Sequence, residues 1–197
     1  MKDRILMEKV PSSERFLTDI ISAMRDFRVI SLCYQSFRHP EPFCFNVRPY
    51  CVKYFKQRWY LLGDSDLGLR IYSLDRFVDM EELEEHFEIP KGFDAEEYFG
   101  NYFGVIIGEE PEDVKIRVVP DQVKYFRTLP LHGSQRETAQ EDGSSVFSYH
   151  IAPTLDFVQE ILSHGTDVEV LEPAELRESV ADIIAGMASR YGLPVSR

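Results

Sequence analysis

Arg48, Lys53, Arg58, Arg70 and Arg76 recur over a short stretch, with Tyr34, Trp59, Tyr60 and Tyr72 interleaved. An arginine offers a planar fork of donors that fits phosphate or carboxylate, and it stays charged. The aromatic rings could supply stacking surfaces for a base, and basic residues between aromatics are how single strands and nucleotides are often held. The same spacing also describes a surface strand whose arginine stems lie over apolar neighbours while the aromatics fill a core. Spacing leaves both readings open. Asp75 beside Arg76 also admits a purely structural ion pair.

Other chemistries find little in the sequence. The five histidines, at 39, 86, 132, 150 and 164, show neither HExxH nor HxH spacing, so no metal site is expected. The carboxylates of Glu81-Glu82-Leu83-Glu84-Glu85 diverge on a strand or a helix surface and do not form a cation cage. There is no GxSxG, no GxxxxGK[ST] and no GxGxxG after a strand. A hydrolase acting on a small anion would have only Asp75 or His150 to offer as base. The expectation is a non-enzyme without a cofactor.

The elements that must position the arginines follow from periodicity. Pro11-Ser12-Ser13 reads as a helix start, with Ser12 or Ser13 as cap. Phe16, Leu17, Ile20, Ile21, Met24 and Phe27 then recur at helical spacing. From Val29 the period becomes two, as in a half-buried strand through Tyr34. Residues 35–42 form a polar loop with two prolines, and Phe43, Phe45 and Val47 alternate again. Pro49 cannot donate to a ladder and is expected at a bulge or an edge. Lys56-Gln57 predicts a hairpin tip, 58–62 a strand, 63–68 a turn and 69–74 a strand; Phe77 to Met80 is a further candidate strand. In 69–74, Arg70, Tyr72 and Leu74 share one face. Five short strands in so few residues predict a small barrel. Phe93 to Phe103 reads as a short aromatic helix, and Glu109 to Asp113 as an acidic turn. Beyond it, the succession strand 114–119, helix 121–128, hairpin strands 134–139 and 146–152, helix 155–163, strand 167–171 and helix 172–191 is a βαββαβ pattern with an added helix.

The predicted fold class is therefore α+β, with an Sm-like or SH3-like five-stranded barrel followed by a ferredoxin-like βαββαβ domain. The predicted division is an N-terminal helix or linker at 1–27, the barrel at 28–90, an acidic helical connector at 91–113 and the ferredoxin-like unit at 114–197.

The 197 residues are 44% apolar and carry a formal net charge of −12, a globular composition whose mean charge repels polynucleotides and anionic membranes. The charge is uneven. Residues 28–77 hold 8 basic and 4 acidic side chains, whereas 78–113 hold 1 and 13. Screening over about 8 Å lets a local basic pocket attract an anion all the same. No apolar run approaches the roughly 20 residues of a membrane span, and the N-terminus lacks the apolar stretch of a signal peptide. Cys33, Cys44 and Cys51 are odd in number and in no CxxC pair. They are expected to be buried, reduced thiols in a cytoplasmic protein.

Trp59-Tyr60-Leu61, followed by Arg70-Ile71-Tyr72-Ser73-Leu74-Asp75-Arg76-Phe77, resembles the WYL-domain family. Ile30-Ser31-Leu32-Cys33-Tyr34 is similar to that family's first strand, and Val47-Arg48-Pro49-Tyr50 to its His/Arg-Pro-Leu step with Tyr for Leu. Ser134-Gln135, Gly165 to Pro173 and Leu176-Arg177 resemble the C-terminal extension that accompanies it. The resemblance implies a regulatory, ligand-sensing region of bacterial transcription regulators, usually a homodimer. It implies an anionic small ligand or a short single-stranded nucleic acid as partner. The implied effector-binding residues are Arg70 and Arg76, with Tyr34, Arg48, Tyr60, Tyr72 and Ser73 around them. Such regulators normally begin with a winged helix-turn-helix. Here only about 28 residues precede the first strand, so no duplex operator binding by this chain alone is expected. A structural dimerisation or docking module without a ligand is the competing expectation.

Overall fold

The structure, a computed structural model, describes residues 14–108 and 110–194. The expected cap at Ser12 or Ser13 and Glu109 of the acidic turn lie outside them. The chain divides into two compact units between Ala95 and Glu96, inside the segment expected to be the connector.

The first unit opens with α1 (Leu17–Arg25), which lays Ile20 and Ala23 into the core beside Phe16. Ile21, expected on that apolar face, is 48% exposed, because the buried stripe runs through Phe16, Ile20 and Ala23 instead. Phe27 leaves the helix at φ 52°, a left-handed conformation that stops it. Five strands follow: β1 (Arg28–Tyr34), β2 (Phe43–Phe55), β3 (Arg58–Ser65), β4 (Gly68–Ser73) and β5 (Phe77–His86). They form one antiparallel sheet in the order β4-β3-β2-β1-β5. Pro49 sits at a register shift in β2, as its missing donor requires. Lys56 and Gln57 form the β2–β3 tip at φ 44° and 65°, the twist a two-residue hairpin needs.

Two extents differ from expectation. Gly63, Asp64 and Ser65, expected in a turn, continue β3, and only Asp66 and Leu67 turn the chain. Gly63 belongs there because a Cβ would collide with Val47 Cγ1 and lie 3.2 Å from the Arg48 carbonyl oxygen. The strand after the Leu74–Arg76 3₁₀ turn is longer than expected and carries the acidic run Glu81 to Glu85 on its exposed stretch.

The cysteines require a correction. Cys33 and Cys44 are not reduced thiols but a disulfide. Eleven residues of separation reveal nothing of register; the β1–β2 pairing places the two directly opposite each other. Cys51 is free and half-buried.

The division falls after the first residue of α2 (Ala95–Phe99), and the second unit continues with β6 (Glu112–Val118), α3 (Pro120–Thr128), β7 (Arg136–Ala139), β8 (Ser145–Ile151), α4 (Leu155–Ser163), β9 (Val168–Glu172) and α5 (Ala174–Arg190). The helix expected over 93–103 covers only five residues, since the chain turns at Gly100 and Tyr102 bridges to Ala152. The sheet order is β7-β8-β6-β9, all antiparallel. Alternation along β6 and β8 buries Val114, Ile116, Val118, Phe147, Tyr149 and Ile151, which meet Phe157 and Ile161 of α4. Gln135 ties the unit together: its Oε1 accepts from the Leu131 N–H and the Tyr149 hydroxyl, and its Nε2 donates to the Phe126 carbonyl. The 9% exposed Asp156 carboxylate is satisfied by the N–H groups of Val105 and Ile106, at 2.8 and 2.9 Å. The protein is thus α+β, built on a five-stranded and a four-stranded antiparallel sheet.

Glu137 gives this unit an acid limit. Arg127 clasps its carboxylate with two bonds of 2.8 and 2.6 Å, and Ser145 Oγ donates a third at 2.6 Å. The Arg127 guanidinium first, then Ser145, hold its pKa down at about 2, against an ordinary 4.5. A depressed folded pKa contributes stability above the unfolded value that is lost as pH falls toward the folded one. The urea midpoint should therefore drop between pH 4.5 and 2, and the drop should be shallower in Glu137→Gln. Equal acid slopes in the two proteins would refute this role.

Candidate functional site

An antiparallel meander returns every second turn to the same end of its sheet. The β1–β2 connection and the β3–β4 turn share one such end: Tyr34 pairs with Phe43, Val47 with Ser65, and Ser65 with Gly68. The β1–β2 hairpin projects past the shorter turn. Between them lies an open cleft of about 630 Å³, lined by His39, Pro40, Glu41, Pro42, Phe43, Leu67 and Arg70.

Arg70 is the cation of this cleft. Its Nε donates to the Leu67 carbonyl at 3.0 Å, which fixes the head group over the turn. Its other donors have no partner among the described residues. Phe43 and His39 supply rings, 6.1 Å apart edge to face. Phe43 stacks on Phe45 at 5.0 Å, and Phe45 rests on Tyr72 at 5.5 Å, so the cleft wall is anchored in the core. Glu41 adds one carboxylate.

The other residues expected here divide into three groups. Arg76 does not line the cleft. Its guanidinium lies 3.9 Å over the Phe37 ring, its Nε is buried without a hydrogen-bond partner, and its carbonyl accepts from the Gln35 N–H. It grips the start of the loop whose far end forms the cleft, and it makes no ion pair with Asp75. Tyr34 and Tyr72, at 8% and 4% exposure, offer no stacking face; their rings meet edge to face at 5.5 Å. The Tyr72 hydroxyl contacts Ser65 Oγ at 3.1 Å, and burial pushes its pKa up. Ser73 is buried and donates to Asp75. Arg48 is engaged by Asp64 at 3.2 Å, and Tyr60 pairs across the sheet with Ser73. Asp75, the possible base, is bound by Arg58 at 3.2 Å, and His150 belongs to the second unit.

Sequence reasoning missed His39 to Phe43 and Leu67. The signal was present in the strand order: in a meander, the first and third connections lie at the same end, so the Pro-rich loop and the Leu67 turn had to be neighbours. A cleft of about 300 Å³ in the second unit also holds basic groups, but Lys115 is neutralised by Glu172 at 2.8 Å and His150 faces Asp113 at 2.9 Å. The third basic group there, Arg136, donates to the Gln135 carbonyl at 2.9 Å and, like Arg70, has no carboxylate partner among the described residues; what sets the Arg70 cleft apart is the pair of rings, His39 and Phe43, in its wall.

The WYL domain pattern matches residues 15–82, and the WCX domain pattern residues 110–188. No curated protein matches the chain. Among solved structures, the chain is similar to a CRISPR Cas-related protein at 17% identity and a TM-score of 0.52, over 89% of this chain and 51% of that one. It also matches Proteasome accessory factor B/C (PafBC) of Arthrobacter aurescens at 20% identity and a TM-score of 0.38, over 94% of this chain and 28% of that one. The chain thus spans about half the length, or less, of these two. At such identity the first likeness is one of fold.

Proposed function

Because the chain carries a WYL domain followed by a WCX domain, we propose that it is the sensing region of a transcription regulator, binding an anionic effector in the Arg70 cleft. The observation that carries this reading is the unpaired Arg70 guanidinium facing a cleft walled by His39 and Phe43. Each charge-assisted bond to an anion is worth about 1.5–3 kcal/mol. Glu41 makes the cleft two-ended: a negative group belongs at Arg70 and a donor, such as an exocyclic amine, at Glu41. A nucleotide or a short single strand has both ends, with a base to set against Phe43.

In this reading the five-stranded sheet is the Sm-like barrel and 28–90 its domain. The βαββαβ order of the second unit is the ferredoxin-like form, spanning 114–197 after a connector at 91–113. Arg76 acts by holding the loop through Phe37, Tyr72 backs the Phe43–Phe45 wall from the core with Tyr34 packed against it, and Ser73 is tied to Asp75. Arg48 and Tyr60 support the strands around it. Among the described residues no helix is long and apolar enough to cross a membrane; the regulator class supports a cytoplasmic homodimer without enzymatic activity.

The test is a titration of the full chain into a labelled, short 5′-phosphorylated oligodeoxycytidylate, read by anisotropy. Trp59 is a poor reporter, since it packs on Tyr54 at the opposite end of the sheet. Micromolar-scale binding is expected once several kcal/mol of ordering cost are met. Its log–log salt slope should be about −0.7 per phosphate engaged. No binding at low salt would sink the proposal and leave a docking module.

A further inference from the structure

We propose that Cys33 and Cys44 form a thiol–disulfide exchange site that sets the affinity of the Arg70 cleft, an inference that rests on the effector reading above. The two are direct partners in the β1–β2 register and are joined, with Cα atoms 4.0 Å apart. Their bond closes the segment 34–43. Every cleft residue the hairpin contributes, His39 to Phe43, lies inside that closed segment, and Phe43 adjoins Cys44. The bond therefore fixes both ends of the wall that faces Arg70.

Access and reactivity are arranged for exchange. Cys44 is exposed and Cys33 half-buried, so a reagent reaches Cys44 first. Cys51 is half-buried, and burial pushes its thiol pKa up, which leaves it little thiolate to compete. In a reducing compartment a disulfide on a protein surface is of the labile, responsive kind.

The co-reactant is a low-molecular-weight disulfide, such as glutathione disulfide. The Cys44 thiolate attacks one of its sulfurs, forming a mixed disulfide and expelling one thiolate. The Cys33 thiolate then attacks the Cys44 sulfur and expels the second. Two protein thiols become one disulfide, and the reagent leaves as two thiols carrying the two protons. Reduction runs the same steps backward. With the bond closed, the loop wall is held in place before ligand arrives; with it open, binding must also order the loop.

The full chain is equilibrated with glutathione disulfide or with dithiothreitol. Free thiols are counted, and the oligodeoxycytidylate is titrated in both states. The reduced chain should show all three thiols and the oxidised chain Cys51 alone. Affinity should be roughly 3- to 10-fold weaker in the reduced state, the scale of ordering one or two side chains. Cys33→Ser with Cys44→Ser should titrate like the reduced chain in both buffers, and Cys51→Ser should keep the response. The wild-type comparison stands even if the double variant folds poorly. A thiol count that glutathione disulfide does not change, or equal affinities with the probe bound, overturns the exchange site and leaves the cleft reading intact. A correct thiol count with the probe bound in neither state overturns the cleft reading and the regulation built on it.

Discussion

Replacing Leu61 by alanine is expected to lower the stability of the first unit by about 2–5 kcal/mol, the range for emptying a fully buried leucine site. Leu61 is 0% exposed and sits in the middle of β3, paired with Val52 on one side and Tyr72 on the other. Its neighbours in that core include Ile30, Leu32 and Leu74, contributed by β1 and by the 3₁₀ turn. Ile30 and Leu32 are held in the β1 ladders and cannot collapse far into the space, so the cavity persists and the cost falls toward the upper end. Urea unfolding should show the loss as a lower midpoint with an unchanged slope. Tyr60→Ala, at the neighbouring half-buried position, should cost less. A Leu61→Ala midpoint within error of wild type would show that this strand is not the centre of the core.

Replacing Arg70 by alanine is expected to weaken binding of the oligodeoxycytidylate roughly 10- to 100-fold, which is one charge-assisted contact of about 1.5–3 kcal/mol. Arg70 is exposed and, among the described residues, bonded only to a backbone carbonyl, so its removal strands no buried partner there. Stability should stay within about 0.5 kcal/mol, as for other surface changes. This separation of binding from folding is the discriminating feature. Arg58→Ala is the control: that guanidinium is engaged by Asp75 and does not line the cleft, so affinity should barely move. Arg76→Ala should act indirectly, by releasing Phe37 and the loop. If Arg70→Ala and Arg58→Ala bind alike, the cleft is not where the anion sits.

Both predictions draw on residues the sequence already singled out, and the reason is local. Alternation in Trp59-Tyr60-Leu61 assigns Leu61 to the core face without knowledge of any partner, and Leu61 is fully buried. The helix over 155–163 and the hairpin tip at Lys56-Gln57 follow equally from near neighbours, through the 3.6 and 2.0 periods and turn chemistry. The WYL domain was legible for a related reason: its motifs are short, contiguous and in fixed order.

What waited for the tertiary structure depends on pairing between segments far apart in the chain. Periodicity shows which face a residue occupies, not which residue stands opposite, because shifting a register by one residue changes every partner. Hence Cys33 and Cys44 read as separate thiols until β1 and β2 were set in register. Tyr34 and Tyr72 read as stacking surfaces until their strands closed them against each other. The arginines shared a charge and a stretch of sequence, but local rules treat them alike. Only the folded sheet distinguishes Arg48 and Arg58, each neutralised by a carboxylate, from Arg76 on its ring and Arg70 in open solvent beside His39 to Phe43.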